Sequence, residues 1–298
     1  MNKVILLGAA AMLALAPFTS ANGKIYGKIN LSVVNSDSGS EDTWKLNSNA
    51  SRIGLKGATQ VSEGLSVFYK TEFEICVDDG DCKGHTFGQR NIFAGVKGNY
   101  GSILAGKNDT PTKLAQKKVD LFNDLDGDIK KTFAGENRMS NIIAYTTPKY
   151  GAFSATYAVM PDEEDNGSLS DAKSYAVSYS KDGLYVALAS DSNVKGADLL
   201  RVVSQYQIDA LQLGLMYQEN DTTDESGYFA SVAYKADNIT YKAQYGNNEN
   251  DTDGSDKTTL SVGADYKLAK NTKSFVFFTD NESSSSTKTF GLGLEHKF

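Results

Sequence analysis

The two cysteines have the most definite chemistry of any residue pair in the chain. Cys76 and Cys82 are its only cysteines, and a pair so close in sequence forms a local disulfide once the protein is exported to an oxidising compartment. The bridge would enclose residues 77–81, which include Asp78, Asp79, Gly80 and Asp81, and stabilise that loop by about 2 kcal/mol. A two-thiol metal or redox site is the alternative, but the only histidines, His85 and His296, form no ligand cluster with the cysteines.

A second set of residues suited to chemistry is the acidic run Asp124, Asp126 and Asp128, which surrounds Gly127. Carboxylates at alternate positions begin a calcium-binding loop, but the twelfth position of that loop needs a glutamate and is Gly135 here. We therefore predict neither a metal site nor another cofactor. Neither histidine lies in a recognisable Ser-His arrangement, so the sequence does not support an enzyme, including a hydrolase embedded in a membrane.

The beginning of the chain has the features of a secretory signal peptide. A basic residue, Lys3, precedes the apolar run 4–18, and the small residues Thr19 and Ala21 form a cleavage site. The apolar run is shorter than the ~20 residues that a membrane-spanning helix needs, which disfavours the alternative of an anchor. We predict a signal peptide at 1–21 and one mature domain at 22–298.

Charge and hydropathy narrow the class of partner. The formal net charge is −7, and removal of Lys3 with the signal peptide makes the mature chain more acidic still, which argues against a nucleic-acid partner. The mean hydropathy of −0.38 is that of an ordinary secreted protein. A membrane barrel has a similarly low mean, because only every second residue of each strand faces lipid.

Apolar and polar residues alternate in segments of about ten residues, the length that a tilted strand needs to cross a bilayer. In the first segment Ile25 and Ile29 share one face, and Lys28 lies on the other. Sixteen segments are predicted, at 24–34, 51–58, 65–75, 87–98 and 102–109, then centred on Ile143, Ala155, Tyr175, Val186, Val203, Leu213, Val232, Tyr241, Val262, Val276 and Leu292.

An even number of strands allows the first strand to pair with the last, which predicts an all-β fold: a closed transmembrane antiparallel β-barrel. Turn residues suggest that short connections alternate with long polar ones, as in barrels with short periplasmic turns and long outer loops. A water-soluble β-sandwich is the alternative. It would need a buried core, whereas the 16 Tyr and 14 Phe are spread over many strands, as in the aromatic girdles of membrane barrels.

Four segments resemble the general trimeric porins of Gram-negative outer membranes. The segment KIYGK (24–28) is similar to their first strand, SRIGLKG (51–57) to their second and RNIFAGVKGNYG (90–101) to their fourth. The segment TFGLGLEHKF (289–298) resembles their C-terminal assembly signal, which ends on Phe298. The resemblance implies a 16-stranded outer-membrane barrel, a homotrimer, insertion by the barrel-assembly machinery, and contact with outer-membrane lipid and lipopolysaccharide.

The same resemblance implies that a long loop folds into the lumen and narrows it. The longest predicted connection, 110–139, is the candidate for this constriction loop. Its acidic candidates are Asp109, Asp120, Asp124, Asp126 and Asp128, and a simple role in surface ion pairs with Lys130 and Lys131 is the alternative for each. The opposing basic wall is predicted at Lys28, Arg52, Lys70 and Arg90, of which Lys28, Arg52 and Arg90 match the family pattern.

All four basic wall residues lie on the lumen-facing parity of their strands, because a Lys or Arg facing lipid at mid-barrel would cost about 2 to 4 kcal/mol. Acidic loop and basic wall groups would together create a transverse field in the pore. The implied function is diffusion of ions and small hydrophilic solutes. A substrate-specific channel, for example for sugars, and a structural or adhesive barrel without a pore are the alternatives.

The outer mouth is predicted to be acidic. Asp162, Glu163, Glu164 and Asp165 lie in one outer connection, and Glu249, Asp251 and Asp253 lie in another. Such a mouth concentrates cations. We therefore predict a mild preference for cations.

Overall fold

The computed structural model describes residues 23–164 and 167–298. The predicted signal peptide lies outside these residues. No helix in the described part of the chain is long and apolar enough to cross a membrane.

The described residues form seventeen strands, one short helix and one 3-10 turn. The strands are β1 Lys24–Asp37, β2 Asp42–Ser48, β3 Arg52–Ser62, β4 Leu65–Glu74, β5 Gly88–Gly98, β6 Gly101–Asp109, β7 Arg138–Thr146, β8 Phe153–Met160, β9 Ala172–Lys181, β10 Leu184–Val194, β11 Ala197–Ile208, β12 Leu211–Asn220, β13 Glu225–Ala236, β14 Ile239–Asn250, β15 Asp256–Ala269, β16 Thr272–Glu282 and β17 Ser286–Lys297. The helix α1 is Pro111–Ala115, and the 3-10 turn is Ile129–Lys131.

These strands close into one antiparallel barrel of sixteen positions. β1 pairs with β17 from Lys28↔Lys297 to Asp37↔Lys288. On its other edge, the first half of β1 pairs with β3 and the second half with β2. β2 and β3 therefore share one position in the wall, interrupted at 49–51, where Ala50 has a φ of 50°. The predicted closed 16-stranded barrel is confirmed.

The exterior and the interior of the barrel differ in polarity. Large apolar side chains on one parity are exposed, among them Ile25, 67% exposed, and Leu292, 60% exposed. The opposite parity contributes buried polar side chains such as Ser261 and Thr279. This alternation produces a lipid-facing surface and a polar lumen.

Two details of the sequence prediction are wrong. β2 was missed, because its alternation is limited to Trp44 and Leu46 in a polar stretch that continues an outer connection. The predicted difference in connection length is also small in the second half of the barrel. There the outer connections are only 195–196, 221–224, 251–255 and 283–285, because the strands themselves extend further.

We use the name outer rim for the end that carries connections 75–87 and 110–137, and inner rim for the opposite end. Inner-rim turns are tight. In the turn between β9 and β10, Asp182 and Gly183 both have positive φ, 50° and 81°. This is the geometry whose twist matches that of the flanking strands.

Candidate functional site

The connection 110–137 between β6 and β7 folds into the lumen, and we call it the constriction loop. It begins with α1. The Thr110 hydroxyl caps the N-terminus of this helix by accepting a hydrogen bond from Lys113 N. The adjacent Thr112 is fully buried and donates to Asp191 of β10 over 2.6 Å. The start of the loop is therefore attached to the inside of the wall.

The middle of the constriction loop packs on the wall through apolar side chains. Val119, Ile129 and Phe133 are buried with Val203 and Phe229. The lumen-facing parity of β11 and β13 is thus apolar where it supports the loop. The burial of these side chains holds the loop against one side of the barrel.

Gly127 allows a closer approach at the next part of the wall. A Cβ at this position would collide with the side chains of Ser261 and Thr279. Its carbonyl oxygen accepts a hydrogen bond from the Gln244 side chain over 2.6 Å, and Asn281 donates to the carbonyl of Asp126 over 3.0 Å. Backbone atoms of the loop are therefore paired with side chains of β14 and β16.

Arg201 is the most deeply buried charged residue of this attachment. Its guanidinium, which is 0% exposed, lies 2.8 Å from the Glu136 carboxylate and donates to the Ala134 carbonyl over 2.8 Å. It also donates to Gln218 over 2.7 Å. Sequence reasoning missed Arg201, although its lumen-facing parity in β11 was a usable signal.

The carboxylates of Asp120 and Asp128 stabilise a tight turn within the loop. Asp120 accepts hydrogen bonds from the backbone N–H groups of Phe122 and Ile129, and Asp128 accepts one from Asp124 N. Burial and the nearby charge of Asp128 raise the pKa of Asp120 to about 7. Within the described residues no group of three potential metal ligands comes together.

Asp124 lies at the tip of this turn, with a φ of 70°, and reaches the predicted basic wall. One of its carboxylate oxygens lies 3.0 Å from Lys28 Nζ and 2.6 Å from Arg52 Nη2. Burial acts in the opposite direction, but Lys28 and Arg52 hold the pKa of Asp124 below its usual value. The tip therefore spans the lumen and contacts β1 and β3.

The remaining wall residues form ion pairs at different depths. Arg90 lies 2.9 Å from Glu72 and 3.1 Å from Glu74. Lys70 is also paired with Glu72, at 3.2 Å, but lies nearer the inner rim. The four predicted basic residues are therefore on one side of the lumen, but not at one level.

Asp109 and Asp126 differ from the other acidic candidates. Asp109 lies at the base of the loop, where Arg138 and Lys113 pair with it at 3.0 and 3.3 Å. Arg138 was not predicted. Asp126 lines a small cavity on the side of the outer rim, together with Lys130 and Lys131.

Between the loop and the wall formed by β3 to β7 lies a cavity of about 620 Å³. Its charged lining consists of eight basic residues (Arg52, Lys83, Arg90, Lys113, Lys117, Lys118, Lys130 and Arg138) and six acidic residues (Glu74, Asp109, Asp120, Asp124, Asp128 and Glu136). Both signs of charge thus face the same water-accessible space. None of the described residues that line it is aromatic.

Cys76 and Cys82 form a disulfide in the structure, with their Cα atoms 5.3 Å apart. The connection that contains it packs beside β2, since Ser48 N donates to Asp78 over 3.1 Å. It thereby covers the edge of β2 that no strand occupies. Phe298 lies on the opposite rim, where its backbone exchanges two hydrogen bonds with Gly27, of 3.0 and 3.1 Å.

A closed barrel with an apolar exterior, a polar lumen and a loop folded across that lumen defines a membrane channel. The sequence profile of Gram-negative porins matches residues 8–286, and the chain belongs to this family. It is therefore an integral protein of the bacterial outer membrane, a channel for small solutes and not an enzyme.

Two relatives illustrate the similarity in sequence. Major outer membrane protein P.IB of Neisseria meningitidis serogroup B is 25% identical over 287 residues, with 83% of each chain covered. Outer membrane porin protein 32 of Delftia acidovorans is 27% identical over 179 residues, which are 55% of this chain. The matched part is about half, 51%, of that relative's length.

Solved structures show the same fold. An anion-selective porin from Comamonas acidovorans superposes with a TM-score of 0.79 at 20% identity, covering 94% of this chain and 100% of that one. OmpF of Salmonella typhi, in complex with daunomycin, gives a TM-score of 0.73 at 18% identity, covering 93% of this chain and 97% of that one. At these identities the similarity establishes the barrel architecture.

Proposed function

We propose that the channel is a general diffusion pore for ions and small hydrophilic solutes. The supporting observation is the cavity of about 620 Å³ between the constriction loop and the wall, lined by charged groups of both signs. A sugar-specific channel would need apolar or aromatic surfaces to bind sugar rings. The described lining of this cavity contains no aromatic residue, so sugar rings have no such surface to bind at the level of the constriction loop.

We also propose that the preference for cations arises at the outer rim and depends on salt concentration. Glu163, Glu249 and Asp251 are exposed there, whereas the cavity lining has an excess of basic residues. Asp165 lies outside the described residues. Charges at the wide mouth act over the Debye length, which is about 30 Å at 0.01 M salt and about 3 Å at 1 M. The preference should therefore be mild, and strongest in dilute salt.

Planar-bilayer recording of the refolded protein tests both proposals. In a dilute KCl gradient the reversal potential should indicate a mild cation preference. The double variant Arg52→Gln/Arg90→Gln should raise the K⁺ to Cl⁻ permeability ratio by roughly threefold to tenfold, since removing cations from the lining is worth on the order of 1 kcal/mol.

Lys149→Gln/Lys181→Gln is the matched control, because it removes the same charge from exposed residues outside the cavity lining. An anion preference of the unaltered protein in dilute salt would contradict the proposed selectivity.

Swelling of protein-containing liposomes in sugars of increasing size separates the alternatives. A graded size cutoff supports diffusion, a single preferred sugar supports a specific channel, and no swelling supports a barrel without a pore.

The homotrimer remains a proposal. On the outside of the barrel, Trp44 of β2 is 67% exposed and Leu46 is 49% exposed, beside the connection that holds the disulfide. An OmpT of Vibrio cholerae with the same fold, at a TM-score of 0.70, is described as a trimer form.

Native mass spectrometry of the detergent-solubilised protein should give three times the mass of one chain. Trp44→Lys should reduce the trimer fraction, and a monomeric mass for the unaltered protein would exclude the proposal.

Insertion by the barrel-assembly machinery through Phe298, and contact with outer-membrane lipid and lipopolysaccharide, stay predictions. Phe298 is half exposed, and its ring lies against Gly27. Its ring is therefore accessible at the rim of the folded barrel.

A further inference from the structure

A row of lysines crosses the lumen wall between the constriction and the inner rim. Lys24 of β1 is directly opposite Lys56 of β3, which in turn is directly opposite Lys70 of β4. Like charges at directly opposed positions destabilise a sheet. Lys97 of β5 continues this basic surface closer to the inner rim.

The carboxylates nearby do not neutralise this row. Lys70 pairs with Glu72 at 3.2 Å, but among the described residues Lys24, Lys56 and Lys97 have no carboxylate within ion-pair distance. Two of these ammonium groups lie over aromatic rings instead. Lys56 Nζ is 4.8 Å from the ring centroid of Tyr26, and Lys97 Nζ is 6.0 Å from that of Phe68. A ring face attracts a cation but leaves its charge intact.

The same lysines border a groove with an apolar floor. Phe68 and Phe93 meet edge to face, with centroids 6.1 Å apart, and Ala58 lies beside them. The groove encloses about 480 Å³, and Lys56, Lys70 and Lys97 also line it. This lysine groove is separate from the constriction cavity, with which it shares no lining residue.

We propose that the lysine groove binds small aromatic carboxylates. The carboxylate would replace the missing counter-charge between the ammonium groups, while the ring would pack on Phe68 and Phe93 in an edge-to-face or offset arrangement. A phosphate or acetate ion would satisfy only the lysines, and an uncharged aromatic molecule only the floor. The proposal rests on the proposed diffusion function for the route by which the solute arrives.

Isothermal titration of the full, detergent-solubilised protein tests the groove directly. Benzoate should bind at least about tenfold more tightly than acetate, phosphate or benzyl alcohol, because each of these lacks one of the two interactions. Equal binding of phosphate and benzoate would overturn the proposal, since the apolar floor would then contribute nothing. Absence of benzoate binding would overturn it as well.

Two variants localise the site. Lys56→Gln/Lys97→Gln and, separately, Phe68→Leu should each weaken benzoate binding by about tenfold. Lys149→Gln/Lys181→Gln, which removes two lysines that do not line the groove, should bind benzoate unchanged. If all three variants bind equally, benzoate binds elsewhere and the proposal fails.

Bilayer recording separates this inference from the proposed function. The Lys56→Gln/Lys97→Gln variant should still open channels in KCl, and benzoate should reduce its current less than that of the unaltered protein. A protein that conducts KCl but does not bind benzoate refutes the groove alone. A protein that binds benzoate without conducting refutes the pore alone.

Discussion

Arg201→Met is expected to loosen the constriction loop and to give channels with a larger and noisier conductance. The substitution leaves the Glu136 carboxylate, now 2.8 Å from the guanidinium, buried without its partner. Breaking a buried ion pair from one side typically costs about 3 to 5 kcal/mol. It also removes the donors to Ala134 and Gln218. Single-channel recording measures the conductance and its fluctuations.

The double variant Arg201→Met/Glu136→Gln is the control for this effect. Because it removes both charges of the pair, it should recover part of the normal conductance and reduce the noise. Circular dichroism should show the same strand content for both variants, since the strand pairings do not involve these side chains. A single variant with normal, quiet channels would show that the loop is held without Arg201.

Asp124→Ala is expected to release the tip of the loop from the wall and to make the pore prefer anions. Lys28 and Arg52 would each lose a carboxylate that now lies within 3.0 Å. The K⁺ to Cl⁻ permeability ratio should fall by roughly threefold to tenfold, given a gain of about 1 kcal/mol for anions near the exposed cations. Reversal potentials in a KCl gradient give this ratio.

Asp126→Ala provides a closely matched control. It removes the same charge two residues away, but Asp126 attaches to the wall through its carbonyl group, which the substitution keeps. Its effect on the permeability ratio should be clearly smaller than that of Asp124→Ala. Equal effects of the two variants would mean that only the total charge of the loop matters, not the contact made by Asp124.

The sequence was sufficient to predict the barrel, because its lipid-facing residues must be apolar whatever their tertiary contacts. The same parity argument placed Lys28, Arg52, Lys70 and Arg90 inside the lumen. Parity indicates the face of a strand but not the depth along the pore axis. For this reason Lys70, which lies nearer the inner rim, could not be distinguished from Arg52 at the level of the constriction.

The attachments of the constriction loop could not be predicted in the same way. Arg201 and Glu136 are far apart in sequence, and neither belongs to a local pattern that requires the other. Their pairing depends on how the loop crosses the lumen, and that path depends on close packing at Gly127 and Phe229. The short strand β2 was missed for a related reason, since it is defined by pairing with β1 more than by its own residues.

The uneven support of the constriction loop affects how easily such a channel can diversify. On one side the loop is interlocked with β10 to β16, so a substitution at Arg201 or Phe229 disturbs both partners at once. On the other side Lys83 is exposed and Arg52 is only partly buried, and both line the water-accessible cavity in front of the loop. Evolution can therefore exchange charges on that surface, and adapt the channel to new ions, while the packed half keeps the architecture intact.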